Sequence, residues 1–369
     1  MTVNDRLRDE AISHALFVSR YSTGVSKRMV KILNQSDAEL SIRLQVALDD
    51  LSPNSFTVRR LEGLLGSVRQ INQTAIQAAF TNLGEELQTF ADHEAGYHLS
   101  LFESLIPAPV THSFPLAAIT PDQVYAAAMT QPFQGRLLSE WASNLESDRL
   151  ARITNAVRTG YLTGQSTDKI ARNIRGTATN NYQDGAIQIS RANATSITKT
   201  AINHIAATAR TQFAEHNSDI VDCKQWLSTL DNKTTPTCII RDRLKYSLEN
   251  KPIGHKVPYL QGPGRIHFCC RSTETLVTKS WREMGIDADE MDAGTRASMD
   301  GQVPANTTYS EWLSQQSLYR QVQVLGDTRA RLLRSGGMKV PDFFTDKGEW
   351  ITLDKLKEID ADAFEKAGF

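Results

Sequence analysis

Between Asp5 and Leu51 apolar residues recur every three or four positions, which predicts helix, with Asn4 and Ser26 placed as N-caps and Pro53-Asn54 as the stop. From Leu61 the apolar positions continue through Leu64, Leu65, Val68, Ile71, Ala75, Ala79, Leu83 and Leu87 to Phe90. The stripe lasts roughly eight turns and predicts one long helix or a helical hairpin. A stripe this narrow leaves most of the helix polar, so its seam needs cover from a partner helix, another subunit or the core of an ordinary bundle.

Pro107-Ala108-Pro109 and Pro115 then interrupt the pattern, because proline lacks the backbone donor and the φ freedom of a helix interior. Thr120-Pro121-Asp122 reads as an N-cap with proline at the first helical position, and Gln131 to Gly135 resets the chain. An amphipathic run follows through Trp141, Leu145, Leu150, Ile153 and Val157. Gly164 to Asp168 ends it and caps a short helix that closes at Arg175-Gly176, and a longer helix is predicted from about Ile187 to Phe213.

After His216 the period fades. Pro236, Pro252, Gly254, Pro258, Gly262, Pro263 and Gly264 punctuate short β-prone pieces such as Cys238-Ile239-Ile240. The fold class predicted is mainly α with a small α+β module. It divides into an N-terminal helical arm (1–106), a central helical region (107–215), a compact turn-rich Cys/His module (216–280), and an acidic tether with a helical C-terminal extension (281–369). That extension carries an amphipathic stretch from Ser310 to Leu333, then Gly336-Gly337 and Trp350 to Leu353.

Composition adds limits. Apolar residues make up 40% and charged residues 22%, values of ordinary globular proteins, and no apolar run is long enough for a spanning helix. The first residues lack the layout of a signal peptide, so a cytoplasmic site of synthesis without membrane association is expected. A formal net charge of -1 excludes a general basic field for nucleic acid. Between Lys233 and Lys279, however, nine Lys or Arg face only three acids. Lys233, Arg241, Arg243, Lys245, Lys256 and Arg265 are therefore candidate DNA contacts, beside the alternative of a solvated basic face.

The four cysteines all lie between Cys223 and Cys270, a clustering that in a reducing compartment suggests metal ligation or buried thiols over a disulfide framework. His267 and Cys270 have the spacing with which one turn offers two ligands to zinc, and Cys238 could add a third from a facing turn. A buried cysteine and a satisfied histidine are the alternative. Cys269, adjacent to Cys270, faces the other way in extended chain and reads as a small buried hydrophobe. Asp231 and Arg271 bracket the module with opposite charge and suggest a bidentate pair that fixes one loop to the other. A general acid-base role for Asp231 would need a second catalytic group at motif spacing, and none is identifiable.

The run Trp226 to Cys238, with Thr234-Thr235-Pro236-Thr237-Cys238 at its end, then a basic spacer, Gly262-Pro263-Gly264 and His267-Phe268-Cys269-Cys270-Arg271-Ser272-Thr273, resembles the phage Mu F-like head-morphogenesis family. The likeness reaches upstream to Arg191 and Ile197-Thr198-Lys199-Thr200, and downstream to Trp312-Leu313, Gln321, Leu325 to Arg329, Gly336 and Leu353. It implies a minor head protein: a low-copy virion component, built into the procapsid near the portal against the portal or major capsid protein, in some relatives bound to double-stranded DNA and ejected with it. It implies no enzyme. Many members carry a second cysteine where this chain has Arg241, and another where it has Ser272. A structural zinc on Cys238, His267 and Cys270 would then take Asp242 or Cys223 as its fourth ligand. The rival reading is a metal-dependent nuclease acting in DNA packaging or ejection, in which a His/Cys/Asp-held ion activates water beside a phosphodiester.

Overall fold

A computed structural model describes residues 2–49, 58–282, 284–286, 295–299, 301–304, 307–345 and 347–369. Two long helices, α1 (Val3–Asp49) and α2 (Val58–Leu105), open the chain. The cap of α1 is Thr2, and the sequence pattern had placed it at Asn4. The Thr2 hydroxyl accepts from the Asp5 N–H at 3.0 Å while the Asp5 carboxylate accepts from the Thr2 N–H at 3.0 Å, a reciprocal box. Ser26 is no cap either: it sits buried in mid-helix and its hydroxyl donates to the Thr23 carbonyl. The expected stop at Pro53-Asn54 lies outside the described residues.

The stripe from Leu64 to Phe90 lies on a single helix, and its seam is covered by other helices of the same chain. Leu83 and Leu87 are fully buried, each worth about 1.5–3 kcal/mol by removal from water. The pairing of α1 with α2 is antiparallel: Tyr97 reaches the Glu10 carbonyl, His14 meets Glu94, and Tyr21 and Arg28 both meet Glu86. Both pack on α7 (Gln188–His216), whose buried residues include Ala194, Ile197, Ala201, Ile202, Ile205, Ala209 and Phe213. A helix apolar on most faces belongs at the centre of a bundle, and α7 is there.

Shorter helices fill the side of the bundle: α3 (Ala108–Ser113), α4 (Pro121–Thr130), α5 (Leu138–Leu162) and α6 (Thr167–Arg175). The cap read from sequence holds at Thr120, whose hydroxyl accepts from Gln123 N–H, and within the run Gly164 to Asp168 the capping residue is Ser166, which accepts from Lys169 N–H. α5 and α6 touch closely because residue 160 has no side chain; a Cβ on Gly160 would lie 2.4 Å from Ile170 Cγ1. One buried polar cluster locks four helices. Asp37 of α1 accepts from Arg149 of α5 and from Arg191 of α7, the latter at 2.6 Å, and Arg149 also donates to Asn72 of α2 at 2.8 Å.

The α+β module follows: β1 (Val221–Leu227), α8 (Pro236–Ile239), β2 (Lys245–Tyr246), β3 (Pro252–Ile253) and β4 (Thr273–Thr278). Its antiparallel sheet has the order β3-β2-β1-β4, with Lys224 opposite Leu276 and Leu227 opposite Thr273. The β-prone run Cys238-Ile239-Ile240 is helical instead, because Pro236 occupies the first position of α8, where its missing donor costs nothing. The largest core joins residues of α1, α2, α4 and α7 to Val221 of β1 and Leu276 of β4, so it crosses positions 106 and 215.

A two-stranded hairpin, β5 (Thr295–Ser298) and β6 (Gly301–Pro304), precedes the C-terminal extension, while the acidic stretch 287–294 lies outside the described residues. The extension holds α9 (Tyr309–Ser314), α10 (Leu318–Leu325), α11 (Asp327–Arg331), α12 (Leu353–Ile359) and α13 (Ala361–Lys366). Its predicted stretch from Ser310 to Leu333 is broken twice, by the Ser317 cap and by Gly326 at φ +77°. The core of the extension includes Leu230 and Ile239 of the module. The fold is thus mainly α with a small α+β module.

Candidate metal centre

Cys238 projects from α8, and His267 and Cys270 come from the loop before β4. There the Cys270 N–H donates to the His267 carbonyl at 3.2 Å, so a turn places residues three apart on one side. Cys238 Sγ lies 3.4 Å from His267 Nε2 and 3.7 Å from Cys270 Sγ. Tetrahedral zinc with ordinary bond lengths would have edges of about 3.6 Å between sulfur and nitrogen and about 3.8 Å between sulfurs. The three ligand atoms lie within 4.8 Å of one another and could hold a metal ion.

The ring of His267 is set for the task. Its Nδ1 lies 3.0 Å from the Phe268 carbonyl, which can only accept, so the proton sits on Nδ1 and the Nε2 lone pair faces the sulfurs. The Thr235 hydroxyl, 3.0 Å from the same Nε2, is a neighbour that ligand spacing could not reveal. Both thiols are buried, Cys238 at 1% and Cys270 at 0% exposure. A hydrogen bond from Cys238 pulls the Cys270 thiol below its ordinary range against the effect of burial, and backbone N–H groups of Ser272 and Gly264 assist. The same bond, together with burial, pushes the Cys238 thiol well up. Burial disfavours the His267 cation, but Cys238 and the Phe268 carbonyl together raise the ring above its ordinary value. Of the two thiols, Cys270 is therefore the one more readily deprotonated for a bound cation.

Two residues named from sequence do not join this group. Asp242 turns its carboxylate away: Oδ1 accepts the Ser228 N–H at 2.7 Å and Oδ2 accepts the Tyr309 N–H at 2.8 Å. Cys223 is buried on β1, its thiol pushed up to about 12 by burial and by Asp222. Among the described residues the group has three ligands. Arg241 is fully buried; its guanidinium donates to the carbonyls of Pro258 at 3.0 Å and Thr237 at 2.6 Å and lies 5.9 Å from the Trp226 ring. It is a brace for the module and cannot reach DNA.

The pair of Asp231 and Arg271 forms as expected. Arg271 Nη1 and Nη2 donate to the two carboxylate oxygens, the second at 2.9 Å. Burial raises the Asp231 carboxyl, and Arg271, the Lys233 N–H and Thr234 together bring it below its ordinary value. The remaining basic candidates do not share one face-forming role. Lys233, Lys245 and Lys256 are exposed, whereas Arg243 is half-buried and near enough to Asp9 to act on it. Arg265 is also half-buried, donating to the Gln261 carbonyl at 2.6 Å with a second nitrogen 3.5 Å from His204 Nδ1.

A second group, His14, His93 and Glu94, also has ligand spacing. His14 Nε2 is bound directly to Glu94 Oε1 at 2.8 Å and its ring stacks on Tyr97 at 4.0 Å, so the pair already serves as a brace between α1 and α2. Arg210 shares a cavity with His14 and opposes a cation there. No described helix is long and apolar enough to cross a membrane. In comparisons with known proteins the chain matches no family, no curated protein and no solved structure.

Proposed function

We propose that this chain is a phage minor head protein, an assembly component with no catalytic role, whose Cys/His module is stapled by one structural zinc ion on Cys238, His267 and Cys270. The observation that carries the reading is the meeting of the two separated motifs that resemble the Mu F-like family. Trp226, Cys238 and Cys270 pack in one cluster, Asp231 closes on Arg271, and the metal-ready trio lies between them. Zinc bound there would clamp α8 to the loop before β4 and rigidify the sheet edge.

In this reading the helical bundle presents docking faces to portal or major capsid protein, and Lys233, Lys245 and Lys256 are the contacts left for packaged DNA. Three lysines predict a weak, salt-dependent affinity. The burial of both thiols supports the staple over the nuclease, because it limits the approach of a phosphodiester to the fourth position that three ligands leave.

The test has two arms. In the phage or prophage that encodes this chain, its deletion is expected to lower the yield of infective particles and to remove a low-copy protein from the head; normal infectivity would overturn the assignment. Metal analysis of protein purified without chelator is expected to give about one zinc per chain, lost in Cys238→Ser. Metal-free protein with unchanged thermal stability after zinc addition would remove the staple while leaving the head assignment to the first arm.

A further inference from the structure

We propose a second ligand site, a pocket for a single phosphate-type oxyanion between α1, α7 and the loop before β4. The cavity measures about 80 Å³, room for a small tetrahedral anion together with some water. Its lining includes Lys199, Arg210 and Arg271 and contains no carboxylate. Around them stand the hydroxyls of Ser19, Ser22 and Thr273.

Arg210 is the observation that points to a ligand. Its side chain is 6% exposed, it lines the cavity, and its one ion pair is a distant 4.0 Å contact with Glu274 Oε1. Among the described residues its guanidinium makes no hydrogen bond, and its nitrogens are not sealed in the interior, so its five donors stay open to a ligand. Lys199 likewise has no ion pair or side-chain hydrogen bond among the described residues. The Tyr259 hydroxyl holds Glu274 Oε2 at 2.7 Å and His14 holds Glu94 Oε1, while Glu274 Oε1 faces Arg210 across 4.0 Å without a hydrogen bond; neither acid lines the cavity. Arg271 is already forked on Asp231 and contributes positive field to the cavity wall.

The loop separates this site from the metal ligands. Cys270 faces Cys238, while Cys269, at φ +56°, lines the pocket. A tetrahedral oxyanion seated between Lys199 and Arg210 would supply the missing acceptors and tie α7 to the module. The small, partly open cavity suits one phosphate group, either free orthophosphate or the terminal phosphate of a strand.

The experiment is titration of the full chain with inorganic phosphate at constant ionic strength, followed by calorimetry and phosphorus NMR. Saturable binding is expected for the natural sequence, weakened about tenfold or more in Lys199→Ala, a half-buried position at which unfolding and metal content, measured alongside, are expected to match the natural protein. Arg210→Lys should retain part of the affinity that Arg210→Gln loses. Competition by an end-phosphorylated oligonucleotide, but not by its dephosphorylated form, would support the site and identify a strand end as source; binding of phosphate without such competition would support it with the free anion as source. Absence of saturable phosphate binding, or equal binding by Lys199→Ala, overturns the proposal.

Discussion

Replacing Asp242 by alanine separates its two readings, metal ligand and structural tether. The carboxylate is buried and accepts the backbone N–H groups of Ser228, at the end of β1, and Tyr309, at the start of α9. Hydrogen bonds to a charged acceptor contribute about 1.5–3 kcal/mol each, and alanine would leave both donors unsatisfied in the interior. The position also favours a negative charge at the first turn of α9, a smaller term. With some relaxation and water entry, Asp242→Ala should lower unfolding free energy by about 3–5 kcal/mol. Asp242→Asn should lose at least half as much, since one amide oxygen remains for one N–H while the amide NH2 opposes the other. Urea unfolding followed by tryptophan fluorescence is a suitable assay, because Trp226 of the module and Trp312 of α9 are both buried. Metal content of the folded variant should equal that of the natural protein. A loss below about 1 kcal/mol, or a folded variant that has lost its metal, would refute the tether.

Burial and Arg265 hold the His204 ring down to about 4, against an unfolded value near 6.5. Because the folded value is the lower one, the unfolded chain binds the extra proton. This contribution is complete above about pH 6.5 and declines by about 3 kcal/mol as pH falls to 4; urea midpoints of His204→Gln should show a shallower acid limb, and an unchanged slope would count against it. Arg271→Ala should cost about 1 kcal/mol at neutral pH. Asp231 has a lowered folded pKa, so that difference should fade as pH drops below the ordinary carboxylate range, and its persistence in acid would show that lost packing is the cause. Gly160→Ala should destabilise by about 1–3 kcal/mol through overpacking on Ile170; thermal unfolding tests this, and a neutral result would mean that α5 and α6 part easily.

Much of the helical frame was legible because its signals are local. The Leu64 to Phe90 stripe, the cap at Thr120, the capping run Gly164 to Asp168 and the ligand turn from His267 to Cys270 each rest on residues a few positions apart. Roles set by distant partners were not. Asp242 is claimed by Tyr309, 67 residues on, and Arg241 by the Pro258 carbonyl, and neither partner has a pattern that names it. The helical turn at Cys238 was misread because three apolar residues fit a strand as readily as a turn, and the preceding proline decided between them. The Asp231–Arg271 pair was legible from charge alone, since few other arrangements would bring both to the edges of one module.

The side chain of Asn4, at the start of α1, accepts the Thr278 N–H at the end of β4, and the two residues are 274 apart. On a ribosome adding about 5–20 residues each second, the first waits roughly 15 to 55 s for the second to be made. During that interval α1 and α2 can zip together, but the flank of α1 that receives the sheet stays open to water. The last strand of the sheet is then a latch: synthesis of Thr278 lets the beginning of the chain finish folding, and a nascent chain stalled before it would carry an uncovered apolar flank for chaperones to hold.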